Sequence, residues 1–383
     1  MPNVFRLLLL LTLGLSSQGV AQRAPSLQPE LTAPVTVPLK QIDGGRPTIE
    51  VMVNGHGPFL FGIETGSQYG VAMTERLADA AEVGSRPNGV GRVIDSLRIG
   101  GLVFRNVGTS LHERAPVPGI EGMLGIEAFR HLQMTISYAT STVRFSLDTL
   151  PAVDGIRVHP LTPFVPGGAL VTVGANVGGR QLPAMVDTQG GGTPLLCRDA
   201  LADSLALQRA PVITGQAQVG GAAAPARPIS AARLSGNVQV GRAEATEPIV
   251  TFLPLPSVLH CLLGVDFIRR FETSMDLRTM RIRFSGPSSI DADAGLKSYG
   301  FVPRLDSAGV MRVMWLLPSG SAESAGLRVG DEVQTVNGAS ATDRALSGGV
   351  MRVLAASDAV LELRVVRDGR LRGITVRPTL LVP

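Results

Sequence analysis

The strongest constraint on the fold is that part of the chain is written twice. The segment GMLGIEAFRHLQMTISYATSTVRFS, residues 122–146, returns as CLLGVDFIRRFETSMDLRTMRIRFS, residues 261–285. Gly125 matches Gly264 and Phe145-Ser146 matches Phe284-Ser285, each 139 residues on. Upstream, PFLFGIETGSQYGVAMTERLADAAEV pairs with LPAMVDTQGGGTPLLCRDALADSLAL, which sets Glu64 opposite Asp187, 123 residues on. The two offsets differ by 16 residues, so the second copy carries an insertion. Its simplest place is GQAQVGGAAAPARP, 215–228, whose Gly, Ala and Pro content reads as a loop or mobile hairpin. A repeat of this length restricts the architecture to two similar lobes.

Each copy follows the same order of elements. A strand pair comes first, PTIEVMVNGHGPFLFGIE in one copy and ALVTVGANVGGRQLPAMVD in the other. Asn54-Gly55 and Gly178-Gly179 are hairpin turn signals between alternating apolar residues. An acid-bearing loop, a short helix and a second strand pair follow, turning at Gly100-Gly101 or Gly241-Arg242. Each copy closes with a short apolar segment ending in Gly, a short helix and two strands. The linker GPSSIDADAG, 286–295, ends the repeated unit, and the pattern changes beyond it.

The chain has 383 residues, enough for two or three domains. It is 44% hydrophobic and 17% charged, which is a globular rather than a disordered composition. The net charge is +4 and the arginines are scattered, so no basic stripe points to a nucleic acid. At the N-terminus, Arg6, the apolar run LLLLLTLGL and Gly19-Val20-Ala21 form a secretory signal layout. The run is too short to span a bilayer, and no Cys follows it to carry a lipid. The mature chain is therefore expected to be exported, periplasmic or secreted, without a stable membrane anchor after signal cleavage. Two cysteines remain, Cys197 and Cys261; export permits a disulfide, and two separate buried thiols are the alternative. Two thiols and five dispersed His form no metal site, so no metal or other cofactor is expected.

The chemistry gathers at two loops. FGIETGSQYG, 61–70, and MVDTQGGGT, 185–193, each run from an apolar strand into an acid followed by Thr. Each lobe ends on an apolar-apolar-Gly segment, Met123-Leu124-Gly125 and Leu262-Leu263-Gly264. With these features residues 35–285 resemble the retropepsin-like and pepsin-like aspartic proteases. The resemblance implies that Asp187 and Glu64 are a catalytic pair facing one water. Carboxylates that close cannot both ionise easily and hold one proton between them. Thr65, Gly66, Thr188, Gln189 and Gly190 would support the two loops, the threonines by locking them across the lobes. Stretches 215–228 and 84–91 would cover the substrate as flaps. The chain departs from the family twice. Glu64 stands where Asp is expected, and its extra methylene displaces the carboxylate by about 1 Å unless the backbone retreats, which can cost ~100-fold in rate. Gln189 stands where Gly is expected, and its Cβ could crowd the loop-to-loop approach. The bland alternatives are a solvated Glu64 in a degenerate site and an ordinary Asx-turn at Asp187.

Residues 296–383 resemble a PDZ domain, on the string SGSAESAGLRVGDEVQTVNG, 319–338. Such domains add a peptide C-terminus as a strand and hold its carboxylate on backbone N–H groups. Ser298, Tyr299, Gly300 and Phe301 resemble that carboxylate loop, and ALSGGVMRVL, 345–354, the second helix. The whole is thus expected to be mainly β: a two-lobed aspartic-protease-like β-barrel followed by a small α+β PDZ domain. Its divisions are signal peptide 1–21, lobes 35–149 and 155–285, linker 286–295 and PDZ domain 296–383. The expected function is an exported aspartic endopeptidase acting on polypeptide substrates, with peptide C-termini bound by the PDZ module. A catalytically inactive peptide-binding scaffold is the alternative. No G-x-S-x-G elbow, phosphate loop or dinucleotide glycine pattern is present.

Overall fold

The computed structural model describes residues 27–42, 45–85, 91–112, 120–217, 226–287, 289–290, 295–305, 309–341 and 359–383. The signal segment, 86–90 and 218–225 of the two flap stretches, half of the linker and the second helix expected at 345–354 lie outside them. The chain is mainly β, as its alternating patterns require.

Both hairpins form where the sequence turns. Arg46–Val53 pairs with His56–Glu64 through Asn54-Gly55, and Val171–Val177 with Arg180–Val186 through Gly178-Gly179. At both turns the two central residues have positive φ, 50° and 83° in the first and 54° and 90° in the second, so Asn and Gly are the residues that fit. Each strand that ends on an acid then meets the apolar-Gly segment of its own lobe in parallel. Gly122–Gly125 runs beside the strand to Glu64, and Cys261–Leu263 beside the strand to Asp187. The strand after each acid loop, Val71–Thr74 or Leu195–Arg198, pairs antiparallel with that same segment. The acid loops are therefore pinned from both sides by the hydrogen bonds of their own lobe.

The lobes join in one sheet, and its register reveals their symmetry. Gln133–Ser137 lies antiparallel to Glu272–Asp276. Outside them come Thr142–Ser146 and Arg281–Ser285, and outside those Val35–Pro38 and Val158–Pro163. The six strands read the same from either edge. Thr135 faces Ser274, its own repeat mate 139 residues on, and their hydroxyls meet at 2.9 Å. A pseudo-twofold axis passes through that pair. Tyr138 and Leu277, also repeat mates, pack against the cores of both lobes.

Each lobe has its own core. Ile49, Phe61, Ile63, Phe104 and Phe145 are buried in the first, and Val173, Met185, Leu196, Phe252 and Phe284 in the second. The second lobe adds a covalent tie. Cys197 and Cys261 sit opposite each other on neighbouring antiparallel strands and are bonded. This resolves the alternatives left by the sequence, because only the strand register brings residues 64 positions apart face to face. The equivalent cross-strand pair of the first lobe is Met73 opposite Gly122.

Residues 296–383 build a separate core of Tyr299, Phe301, Val313, Leu327, Leu363 and Val365. Five strands order as Phe301–Leu305, Met311–Leu316, Glu332–Val336, Leu361–Arg367 and Arg370–Val376, with the short helix Ser321–Ser324 at one end. Arg367 holds the buried Asp331 through two nitrogens at 2.6 Å each. This module rests on the second lobe. Val212–Ala217 packs against its first two strands, and Ala231 and Ile249 share a small core with Leu296 and Val382.

Candidate active site

The two acids stand at the ends of buried strands, so the backbone decides where they point. Thr65 and Thr188 follow them and lock the loops together across the axis. Thr65 N donates to Thr188 Oγ1 at 3.1 Å, and Thr188 N to Thr65 Oγ1 at 3.2 Å. Each hydroxyl then donates into the opposite lobe, Thr65 to Val186 O and Thr188 to Ile63 O, both at 2.6 Å. Ile63 and Val186 are themselves mates at the 123-residue offset. All four bonds are buried, and each would leave a desolvated polar group behind if lost.

The loops approach closely. A Cβ on Gly66 would lie 2.7 Å from Asp187 Cγ and 2.9 and 3.0 Å from its two oxygens. Only Gly fits there, and its contact puts the second lobe's carboxyl against the first lobe's loop. Gly190 is bound by the same neighbour, since its Cβ would fall 3.0 Å from Asp187 Oδ2. Gln189 crosses instead of crowding. Its amide Nε2 donates to Ile63 O at 2.8 Å, which turns the departure from Gly into a further tie between the lobes.

The two carboxyls have different surroundings. Asp187 Oδ1 accepts the backbone N–H of Gln189 at 2.9 Å. Glu64 accepts hydroxyls from its own loop, Ser67 Oγ on Oε1 at 2.7 Å and Tyr69 Oη on Oε2. Both acids are buried. Burial pushes Glu64 up to about 7; the charge of Asp187 adds to the rise, while Tyr69, Ser67 and Arg46 oppose it. Burial also raises Asp187, against the backbone N–H groups of Gln189 and Gly190 and the charge of Arg46. Burial lifts the Tyr69 phenol well above its ordinary value, and the charge of Glu64 lifts it further.

Three of these groups are invisible to motif reading. Arg46, at the start of a first-lobe strand, reaches into the second lobe, where its Nε donates to Gln189 O at 2.7 Å. It is 5% exposed, and burial lowers its guanidinium while Asp187, Asp266 and Glu64 raise it. A cation among three carboxyls is the compensation a buried charge requires. Asp266 accepts Gly192 N at 3.1 Å and pairs with Arg269, which steadies the Gly-rich end of the Asp187 loop. Tyr69 is one of three tyrosines in the chain, and its ring position gives no sequence pattern. Arg46 lies in no motif either, and its one sequence cue is a lone guanidinium heading the apolar strand RPTIEVMV.

Of the two stretches expected to act as flaps, the described parts are Val212–Ala217 paired with Arg227–Arg233 in the second lobe and Gly84–Ser85 paired with Arg92–Ile99 in the first. In the C-terminal module, Ser298, Tyr299, Gly300 and Phe301 are buried. Tyr299 O accepts Ala322 N and Ser321 Oγ, and Gly300 O accepts Leu317 N. Gly300 N donates to Ser298 Oγ at 3.0 Å. No cluster of metal-ligating side chains occurs among the described residues.

No protein-family model matches the chain, and no curated protein does. Among solved structures it is similar to a retropepsin-like aspartic protease from Rickettsia conorii, at 14% identity and a TM-score of 0.22, over 31% of this chain and 93% of that one. A likeness of that size carries no argument, and the two-lobed reading rests on the register and the repeat.

Proposed function

We propose that the protein is an aspartic endopeptidase whose carboxyl pair is Asp187 and Glu64. The observation that carries this reading is the reciprocal threonine lock, which holds one acid from each lobe at a pseudo-twofold axis. The surroundings divide the labour. Backbone N–H groups can only donate, so they favour an ionised Asp187. Hydroxyls can donate or accept, so Ser67 and Tyr69 suit Glu64 with or without its proton. Asp187 takes a proton from a water as that water's oxygen attacks the peptide carbonyl, and Glu64 gives its proton to the carbonyl oxygen. The gem-diol intermediate then expels the amine, which takes the proton that Asp187 had accepted, while one gem-diol hydroxyl returns a proton to Glu64 and the carboxylic product leaves. Net, one water is consumed per bond cut.

The C-terminal module binds peptide ends at the edge of Phe301–Leu305 and so recruits chains to the lobes. Export is supported by the signal layout and by the Cys197–Cys261 bond, since disulfides persist in oxidising compartments. The test is a digest. The purified mature chain and Asp187→Asn are incubated with a diverse peptide mixture from about pH 3 to pH 8, and mass spectrometry reads the new ends. Cleavage that falls by about 10²–10⁴-fold in the variant supports the reading. Cleavage by neither protein, with peptides still bound, makes the chain a binding scaffold.

A further inference from the structure

The extra methylene of Glu64 raises the question of what its carboxylate does with the added reach. In the second lobe the carboxyl of Asp187 stays by its own backbone and closes the space over Gly66, where a Cβ would meet it at 2.7 Å. The pseudo-twofold makes residue 189 the mate of residue 66. That position carries a full side chain, whose amide passes to Ile63 O at 2.8 Å. The first lobe's acid turns to its own loop instead. Its oxygens are taken by Ser67 Oγ at 2.7 Å and by Tyr69 Oη. Tyr69 is itself held in place, because a Cβ on Gly125 would strike Tyr69 O at 2.0 Å; only Gly lets that backbone pass so close.

We propose that Tyr69 is a positioning residue that holds the longer carboxylate of Glu64 back against its own loop, so that Glu64, Tyr69 and Gln189 together replace the Asp and Gly expected at positions 64 and 189. The two departures from the acid-Thr-Gly pattern are then one structural solution. The inference deepens the endopeptidase reading but is tested apart from it. The charged and titratable groups facing Glu64 are Tyr69 from its own loop, Asp187 from the second lobe and Arg46 from the neighbouring strand.

The experiment follows the Glu64 side-chain carboxyl by ¹³C NMR as the full chain is titrated, in wild type and Tyr69→Phe, each with Glu64 or Glu64→Asp. A phenol that donates to the carboxylate favours its charged form, so Tyr69→Phe moves the Glu64 midpoint upward by about one pH unit. In the Glu64→Asp background the shorter side chain no longer reaches the phenol, and Tyr69→Phe leaves the residue-64 midpoint unchanged. An unmoved Glu64 midpoint, or the same shift in both backgrounds, overturns the proposal. If Tyr69→Phe does not fold, Glu64→Asp is read at the Tyr69 ring. The phenol carbon resonance then moves on substitution, and an unchanged resonance overturns the proposal. Absent peptide cleavage in wild type would refute the endopeptidase reading while leaving this titration decisive.

Discussion

The loop at Glu64 and the loop at Asp187 occupy equivalent positions in two lobes built from one repeat, yet they treat their acids differently. The second holds a short carboxylate on backbone N–H groups, beside a buried guanidinium. The first holds a long one on two side-chain hydroxyls. A twofold fold supplies two identical places, and the residues around them decide which place keeps the proton. What must stay symmetric is the lock between the loops. What can differ is the donor set on each acid.

The most forceful way to break the symmetry lies outside the loops. The second lobe closes a 64-residue separation with Cys197–Cys261, where the first has Met73 and Gly122. Loop-closure entropy for that separation amounts to about 4 kcal/mol. Reduction, or the paired change Cys197→Ser with Cys261→Ser, should lower the unfolding free energy by that order, read as a lower denaturant midpoint. A midpoint unmoved by reductant would count against the bond.

Next comes the pH dependence of the first loop. Glu64 is raised to about 7 from an ordinary value of 4.5 by burial first and by Asp187 after it. Between those two values the folded chain binds more protons than the unfolded one, so stability falls as pH rises. The loss is complete above the folded value and amounts to about 3 kcal/mol. Glu64→Gln cannot ionise, so it should be more stable than wild type by about that amount at pH 8 and equal to it at pH 4. Thermal melts at the two pH values check this, and a gain at pH 4 as large as at pH 8 would sink it.

The lock gives the smallest effect and the sharpest comparison. Thr65→Val strips a hydroxyl from both Thr188 N and Val186 O, at about 2 kcal/mol, whereas Thr188→Val strips one from Thr65 N and from an Ile63 O that still accepts the amide of Gln189. The second variant should therefore lose less than the first in equilibrium unfolding. An equal loss would mean that Gln189 does not back up the lock at Ile63 O.

Much of this was legible in the sequence for a physical reason. Repeats, hairpin glycines and apolar alternation are local signals, and Asn54-Gly55 or Gly178-Gly179 turns where positive φ is needed. The mates Glu64 and Asp187 fall out of the same alignment. Contacts set by strand register were not legible. Cys197 meets Cys261 only because their strands align, and Arg46 reaches Gln189 only because the lobes pack. Gln189 shows the limit from the other side. Sequence alone places a Cβ in a crowded approach, whereas in the fold Glu64 is held by Ser67 and Tyr69 of its own loop and the amide of Gln189 finds Ile63 O.

The measurement that bears most directly on the account is the titration of Glu64 in Asp187→Asn, followed by ¹³C NMR. If the two carboxyls form one unit, removing the charge of Asp187 relieves a repulsion and the Glu64 midpoint falls below about 7. A midpoint unchanged by the substitution would mean that the acids do not sense each other, and the pair proposed here would not exist.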